Sequence, residues 1–279
     1  MPPRRLRLDA ELVRRGLARS REHASELIAA ERVTVSGVTA RKPATGVTTD
    51  VAIVVAEGTS GPDYVSRGGH KLAGALAAFG TVGLSVRGRR CLDAGASTGG
   101  FTDVLLRAGA SEVVAVDVGY GQLAWSLQSD ERVRVHDRTN IRDLDLETIG
   151  GPVDVVVGDL SFISLRLVLD ALVAVTVPDG DLALMVKPQF EVGKQRVGKG
   201  GVVRDPGLRA EAVLEVMAAA RQRGWGAVAA TTSPLPGPSG NVEFFVWLRH
   251  GTDRIDPDAI QRLVRGEDPL RVAGERVDG

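Results

Sequence analysis

From Gly68 to His250 the chain alternates between two patterns. Seven apolar, β-branched runs appear: RRCLDAGA (89–96), EVVAVDV (112–118), VRVHD (133–137), VDVVVGDLS (153–161), DLALMVKP (181–188), WGAVAATTS (225–233) and EFFVWLR (243–249). Helical spacing fills most of the gaps, around 101–108, 121–128, 165–175 and 207–223. Near-continuous apolar strands are buried on both faces, and strand–helix alternation joins parallel strands by crossovers. The expected fold is therefore α/β, a largely parallel sheet of seven strands with helices on both sides. No apolar run approaches the roughly 20 residues that span a bilayer. The first residues carry no apolar core of a secretory signal. A cytoplasmic protein that makes no use of a membrane is expected.

The first 57 residues follow a different rule. RLDAELVRRGL (7–17) puts Leu8, Leu12 and Val13 on one helical face, with Gly16 at its end. SREHASELIAA (20–30) restarts with Ser20 as N-cap and turns Ala24, Leu27 and Ile28 inward. RVTVSG and VAIVVAEG read as short strands with turns. Residues 4–57 thus form a small α+β unit, 58–69 a Gly/Ser/Pro-rich linker, 70–250 the α/β domain, and 251–279 a polar tail with one helix near 257–264. The chain as a whole is neutral, with 35 basic and 35 acidic residues. Residues 1–42 nevertheless hold ten Lys/Arg and five Asp/Glu. A basic end on a neutral chain points to a polyanion partner, or to a solvated helix face.

A single cysteine, Cys91, excludes an internal disulfide framework and fits a reducing compartment. His23, His70, His136 and His250 have no ligand spacing, so no metal is expected.

CLDAGASTGGFTDVLL (91–106) begins as a strand and ends as a helix. Gly95, Gly99 and Gly100 fall at the turn, where glycine permits a tight bend and close approach of backbone N–H groups to a ligand. Ser97 stands where a dinucleotide site needs its middle glycine, so no pyrophosphate is implied. Asp93 at the strand end suits an ammonium. S-adenosylmethionine, an amino acid joined to a nucleoside, fits both features. Asp117, 24 residues on, ends the second strand and suits ribose hydroxyls. Asp137, with Thr139 and Asn140, suits the adenine edge. The expected cofactor set is Asp93, Gly95, Ser97, Gly99, Gly100, Phe101, Asp117 and Asp137. Each acid alone is as readily a helix cap.

Four charged groups mark an acceptor end. Lys71 lies in the first turn of a helix, where the dipole disfavours a cation. Asp159 ends the fourth strand, Lys187 ends the fifth, and Glu243 starts the seventh. In the usual methyltransferase strand order, all four converge at one sheet edge. Such a set suits deprotonation of an alcohol. An amine can take that proton when burial and a second cation favour its neutral form.

The ordered set Lys71, Asp159, Lys187 and Glu243, behind the acid–glycine loop, resembles the K-D-K-E arrangement of ribose 2′-O-methyltransferases of the FtsJ/RrmJ type. RLDAELVRRGLARSR, SRGGHKL, CLDAGASTGGFTD, DVGYGQL, GDLSFIS, MVKPQFEVG and SPLPGPSGNVEFF are similar to the TlyA family over roughly residues 4–250. The resemblance implies a Rossmann-like seven-stranded class I methyltransferase sheet behind an RNA-binding domain of the ribosomal protein S-four type. It implies S-adenosyl-L-methionine as cofactor and the ribose of ribosomal RNA as substrate, on cytidines of 16S and 23S rRNA. Arg14, Arg15, Arg19 and Arg21 then fall in RNA-facing helices, with Arg4 before them. The glycine-rich stretch VGKQRVGKGGVVRD (192–205) adds Lys194, Arg196 and Lys199 as a phosphate clamp beside Lys187. The expected partners are ribosomal RNA and the ribosomal subunits, and the expected state is a monomer. Two other readings stay open, a membrane-active haemolysin and a non-catalytic RNA-binding ribosome-assembly factor. Base methylation would call for an Asn-Pro-Pro-Tyr-like loop after the fourth strand, where DLSF stands instead.

Overall fold

The computed structural model describes residues 5–29, 31–56, 62–237 and 239–267, and the backbone of 270–271. The chain divides into two compact units, Met1–Ser66 and Arg67–Gly279.

In the first unit, β1 (Leu6–Arg7) leads directly into α1 (Leu8–Arg14), and α2 (Arg21–Ala29) follows. Ser20 caps α2, since the His23 N–H donates to its Oγ at 3.1 Å. Four short strands complete the unit: β2 (Val33–Val35), β3 (Val38–Thr39), β4 (Gly46–Val47) and β5 (Ile53–Val55). They form a two-stranded sheet, β1–β4, and a three-stranded one, β3–β2–β5. Ser36 and Gly37, both at positive φ, make the tight hairpin between β2 and β3. Leu8, Leu12, Ala24, Leu27, Ile28, Val33 and Val47 are buried together as its core.

The second unit opens with α3 (Gly68–Gly80), β6 (Arg90–Ala94), α4 (Gly100–Arg107), β7 (Glu112–Val116), α5 (Trp125–Gln128) and β8 (Val133–His136). It continues with α6 (Leu146–Ile149), β9 (Val153–Gly158), α7 (Leu169–Ala174), β10 (Thr176–Val186), α8 (Pro188–Glu191) and α9 (Pro206–Arg221). It ends with β11 (Trp225–Thr232), β12 (Phe244–His250), α10 (Pro257–Val264) and β13 (Leu270–Arg271). All seven predicted strands form. They lie in the order β11–β12–β10–β9–β6–β7–β8, with β13 added beyond β11 as an eighth strand. The pairs from β10 to β8 are parallel, and β12 runs antiparallel to both β10 and β11. From β6 the strands are added on one side as β7 and β8 and on the other as β9 and β10, so β6 and β9 flank the crevice where such sheets bind ligands.

Period-two alternation divides β12 between the two faces. Phe244, Val246 and Leu248 join the core that includes residues of α7, α9 and α10. Phe245 and Trp247 point the other way, where Phe245 meets Phe101 of α4 and Trp247 meets Phe79 of α3. Both faces are therefore dry, which is why these runs read as continuously apolar.

Two expected helices are shorter than their spacing suggested. Around 121–128 only Trp125–Gln128 is helical. The carboxylates of Asp117 and Asp137 accept the N–H groups of Gly119 and Gly121, at 2.7 and 2.8 Å, and hold this segment as a loop. Around 165–175 a single 3-10 turn (Leu165–Leu167) precedes α7, with Val168 at φ −118° and ψ −10° between them.

Candidate active site

Lys187 follows the last residue of β10, where Val186 pairs with Phe244 of β12. Continuing that antiparallel register by one residue sets Lys187 opposite Glu243. Pro188 then starts α8, and its ring cannot donate to a sheet ladder, so the strand stops at the lysine. Asp159 follows Gly158 of β9, which pairs with Leu184 of β10. All three residues therefore stand at one edge of the sheet.

Two ion pairs form there. Lys187 Nζ lies 2.5 Å from Asp159 Oδ1. Lys71 Nζ, from the first turn of α3, lies 2.5 Å from Glu243 Oε2. Lys71, Lys187 and Glu243 are all buried, while Asp159 is partly open. A buried charge is tolerated only when paired. The expected four residues thus meet as two pairs, one across the ends of β9 and β10 and the other between α3 and the start of β12. Ser161, which sequence reasoning passed over, accepts a hydrogen bond from Lys187 Nζ at 2.9 Å. An isolated serine in a loop carries no pattern by which to find it.

A cavity of about 480 Å³ adjoins this edge. Gly95, Ser97, Asp117, Gln122, Thr139 and Asn140 line one part, and Asp159, Leu160, Ser161, Phe162 and Ile163 another. Gly95 is at φ +87°, and a Cβ there would lie 3.0 Å from the Asp159 backbone oxygen. The glycine therefore sets how closely the loop after β6 approaches β9. Ser97 is also left-handed, at φ +48°, and its N–H donates to Asp117 Oδ2 at 2.8 Å. A non-glycine residue held in this region stores strain of the kind found at ligand loops. Phe162 is left-handed too, at φ +65°, and is 92% exposed. Its ring sits 5.3 Å from that of Phe190.

Other expected cofactor residues do not reach the cavity wall. Asp93 is fully buried in β6 and accepts from Thr102 Oγ1 at 2.7 Å. Burial pushes its carboxyl up to about 7, helped by Asp159 and Asp117 and opposed by the Thr102 hydrogen bond. Its Oδ1 has no hydrogen-bond partner among the described residues. Phe101 points into the sheet beside Phe245, because α4 begins at Gly100 and directs its second residue inward. Gly99, at φ +98°, packs against Leu127, and Gly100 is buried behind it. Asp137 is engaged with the Gly121 N–H.

The expected RNA-binding residues divide as well. Arg14 and Arg21 remain half exposed while pairing with Glu11 and Asp9. Arg19 donates to Asp63 at 3.3 Å and to the Tyr64 carbonyl. Arg15 corrects its expectation. Its guanidinium turns inward to Glu11 at 2.7 Å and to the carbonyls of Val51 and Thr49 at 2.7 and 3.0 Å, so it holds α1 to the strands. Lys194 and Lys199 are exposed, and Arg196 pairs with Glu211 and the Val192 carbonyl. Arg4 lies outside the described residues. Among the described residues no cluster of three or more His, Cys, Asp or Glu could hold a metal. No helix among them is long and apolar enough to cross a membrane.

Residues 64–250 match the model of the FtsJ-like methyltransferase family, and residues 6–53 match that of the S4 domain. The 16S/23S rRNA (cytidine-2′-O)-methyltransferase TlyA of Mycobacterium tuberculosis is 62% identical over 251 residues, 90% of this chain and 92% of that one. An rRNA methyltransferase homologue named YqxC, from Bacillus subtilis, is 42% identical over 95% of this chain and 94% of its own. Among solved structures, a Streptococcus thermophilus protein provisionally called a hemolysin superposes with a TM-score of 0.75 at 36% identity, covering 95% of this chain and 96% of that one. This chain belongs to the TlyA family of FtsJ-like methyltransferases, with an S4 domain ahead of the methyltransferase domain.

Proposed function

We propose that this protein transfers a methyl group from S-adenosylmethionine to the ribose 2′-oxygen of cytidines in 16S and 23S ribosomal RNA, in the cytoplasm. The observation that carries the reading is the Lys187–Asp159 pair, with Asp159 on the wall of the cavity and Lys71–Glu243 on the next strand. A hydroxyl is a weak nucleophile until its proton is held or removed. Lys187 takes that role. Asp159 orients its amine, and Lys71 supplies a second cation whose own charge Glu243 offsets. The apolar end of β10 keeps bulk water from the amine.

The donor set fits the cofactor. Gly95 lines the cavity without a side chain, and Asp117, Asn140 and Gln122 offer polar groups within the same cavity. When bound, the sulfonium supplies an electrophilic methyl. Gly95, Ser97 and Asp117 would hold it, and its alignment with the acceptor oxygen would supply much of the rate. Asp93 supports the loop from beneath. Phe162, with the half-buried Phe190 ring beside it, presents exposed ring surface on which a nucleobase can stack.

Residues 4–57 act as the RNA-binding domain, 58–69 as a linker, and 70–250 as the methyltransferase. Arg14, Arg19 and Arg21, with Lys194, Arg196 and Lys199 of the glycine-rich loop, contact phosphates. Charge and the match to an S4 domain support this assignment. The test is mass-spectrometric mapping of ribose methyls in 16S and 23S rRNA incubated with the protein and isotope-labelled S-adenosylmethionine. Label on the 2′-oxygen of cytidine is expected with the wild type and not with Lys187→Ala. Label absent from ribose, or undiminished in the variant, overturns the reading.

A further inference from the structure

Lys187 has one hydrogen-bond acceptor and one ion-pair partner, and together they determine more than its position. Its Nζ lies 2.5 Å from Asp159 Oδ1 and donates to Ser161 Oγ at 2.9 Å. A neutral amine nitrogen is tetrahedral, with one bond to Cε, two N–H donors and one lone pair. With one N–H directed at Ser161 and the Asp159 carboxylate disfavouring a lone pair on its side, the lone pair is left a single direction. With Asp159 as sole partner, rotation about Cε–Nζ would move the lone pair among several directions, and only one of them faces an acceptor hydroxyl.

We propose that Ser161 is a positioning residue for methyl transfer, whose oxygen aims the Lys187 lone pair at the ribose hydroxyl. This inference rests on Lys187 acting as the base. Three observations support it. Ser161 is exposed and lines the cavity, whereas Lys187 is buried, so the hydroxyl stands where the amine meets the substrate side. Ser161 lies in the same short loop as Asp159, so both partners of Lys187 move as one. That loop is also tied to the segment that carries Lys187. The buried carboxylate of Glu191, at the end of α8, accepts from the Ser164 hydroxyl and from the Leu165 N–H at 2.8 Å. One carboxylate thus joins the loop after β9 to the turn after β10, and keeps the Ser161–Lys187 spacing.

In the step itself, the ribose hydroxyl proton passes to the Lys187 lone pair as the oxygen forms its bond to the methyl carbon. The carbon–sulfur bond breaks, leaving a neutral thioether. The third N–H of the resulting ammonium then occupies the former lone-pair direction, while Asp159 keeps its ion pair and Ser161 its hydrogen bond. Solvent removes the proton after product leaves.

Single-turnover methylation of rRNA by the full chain separates aiming from binding. Ser161→Ala is expected to slow the step about tenfold or more. Its cofactor and RNA dissociation constants should stay within about twofold of wild type. Its melting temperature should not move, because the side chain is exposed. Ser161→Thr, which keeps the hydroxyl, should recover most of the rate. A Ser161→Ala rate equal to wild type overturns the inference, as does a loss carried wholly by weaker RNA binding. So does a threonine variant as slow as the alanine one. If the wild type leaves ribose unmethylated, the function proposed above fails first, and the two failures are told apart by that control.

Discussion

Lys71 and Glu243 stand 172 residues apart in the chain, and their charged atoms lie 2.5 Å apart with both side chains buried. The pair links the first helix of the methyltransferase unit to the start of its β12 strand. Removing one partner leaves the other charged and dry, which costs about 3–5 kcal/mol in such sites. Glu243→Ala should therefore lower the melting temperature and abolish methyl transfer. The double variant Lys71→Met/Glu243→Leu should regain much of the stability but none of the activity. Differential scanning calorimetry beside a methylation assay checks both, and a double variant that methylates would remove this pair from the mechanism.

Gly95 is at φ +87°, and a methyl group there would meet the Asp159 backbone oxygen at 3.0 Å. A left-handed non-glycine residue costs about 1–2 kcal/mol before any contact is counted. Gly95→Ala should weaken S-adenosylmethionine binding by about tenfold or more, since 1.4 kcal/mol is a factor of ten. Titration calorimetry reads this directly. An unchanged dissociation constant would show that the loop after β6 does not hold the cofactor.

Asp93 is an acid whose folded value is raised to about 7 by burial, from an ordinary 3.8. The folded protein thus keeps this proton where the unfolded chain has lost it. The stabilising contribution of the neutral carboxyl is full below about pH 4 and declines as pH rises toward 7. Asp93→Asn removes that dependence. The variant should gain in melting temperature relative to wild type at pH 8 compared with pH 5, in the absence of cofactor. An equal difference at both pH values would contradict the shift.

Glu11 shows the opposite sign. Hydrogen bonds from Arg14 and Arg15 hold its carboxyl down at about 2 against an ordinary 4.5. Its contribution is present above pH 4.5 and is lost as pH falls toward 2. Arg15→Ala should destabilise the first unit more than Arg14→Ala, because only Arg15 also bonds the backbone carbonyls of Val51 and Thr49. Hydrogen exchange at α1, followed between pH 3 and 6, distinguishes the two variants.

Lys194 and Lys199 stand exposed in the glycine-rich loop. If both touch phosphates, Lys194→Ala/Lys199→Ala should flatten the dependence of log affinity on log salt by about 1.4, or 0.7 per contact for single-stranded RNA. Arg15→Ala should leave that slope unchanged once folding is controlled. Fluorescence anisotropy over a salt series gives both numbers.

Much of this protein is determined locally. The inner strands were legible because both faces of the sheet are dry there, so their runs are nearly continuously apolar, whereas the edge strand β8 leaves Arg134 and Val135 exposed. Lys187 drew attention because a charge at the end of such a run, with proline behind it, has no solvated explanation. The acid–glycine loop was legible because positive φ at Gly95 and Gly99 demands glycine whatever the tertiary context. Other features depended on distance and direction, which spacing does not encode. Asp93 and Phe101 lie within the right loop and helix, yet the start of α4 at Gly100 turns Phe101 into the sheet, and β6 buries Asp93 beneath the cavity. Arg15 has the same chemistry as Arg14, one residue earlier on the helix, but a turn of about 100° points it at backbone carbonyls instead of solvent. Ser161 and Glu191 left no sequence pattern, because their importance lies in partners on a neighbouring strand end. Local chemistry decided which residues had to be present. Only the packing of β9, β10 and β12 at one edge decided which of them meet.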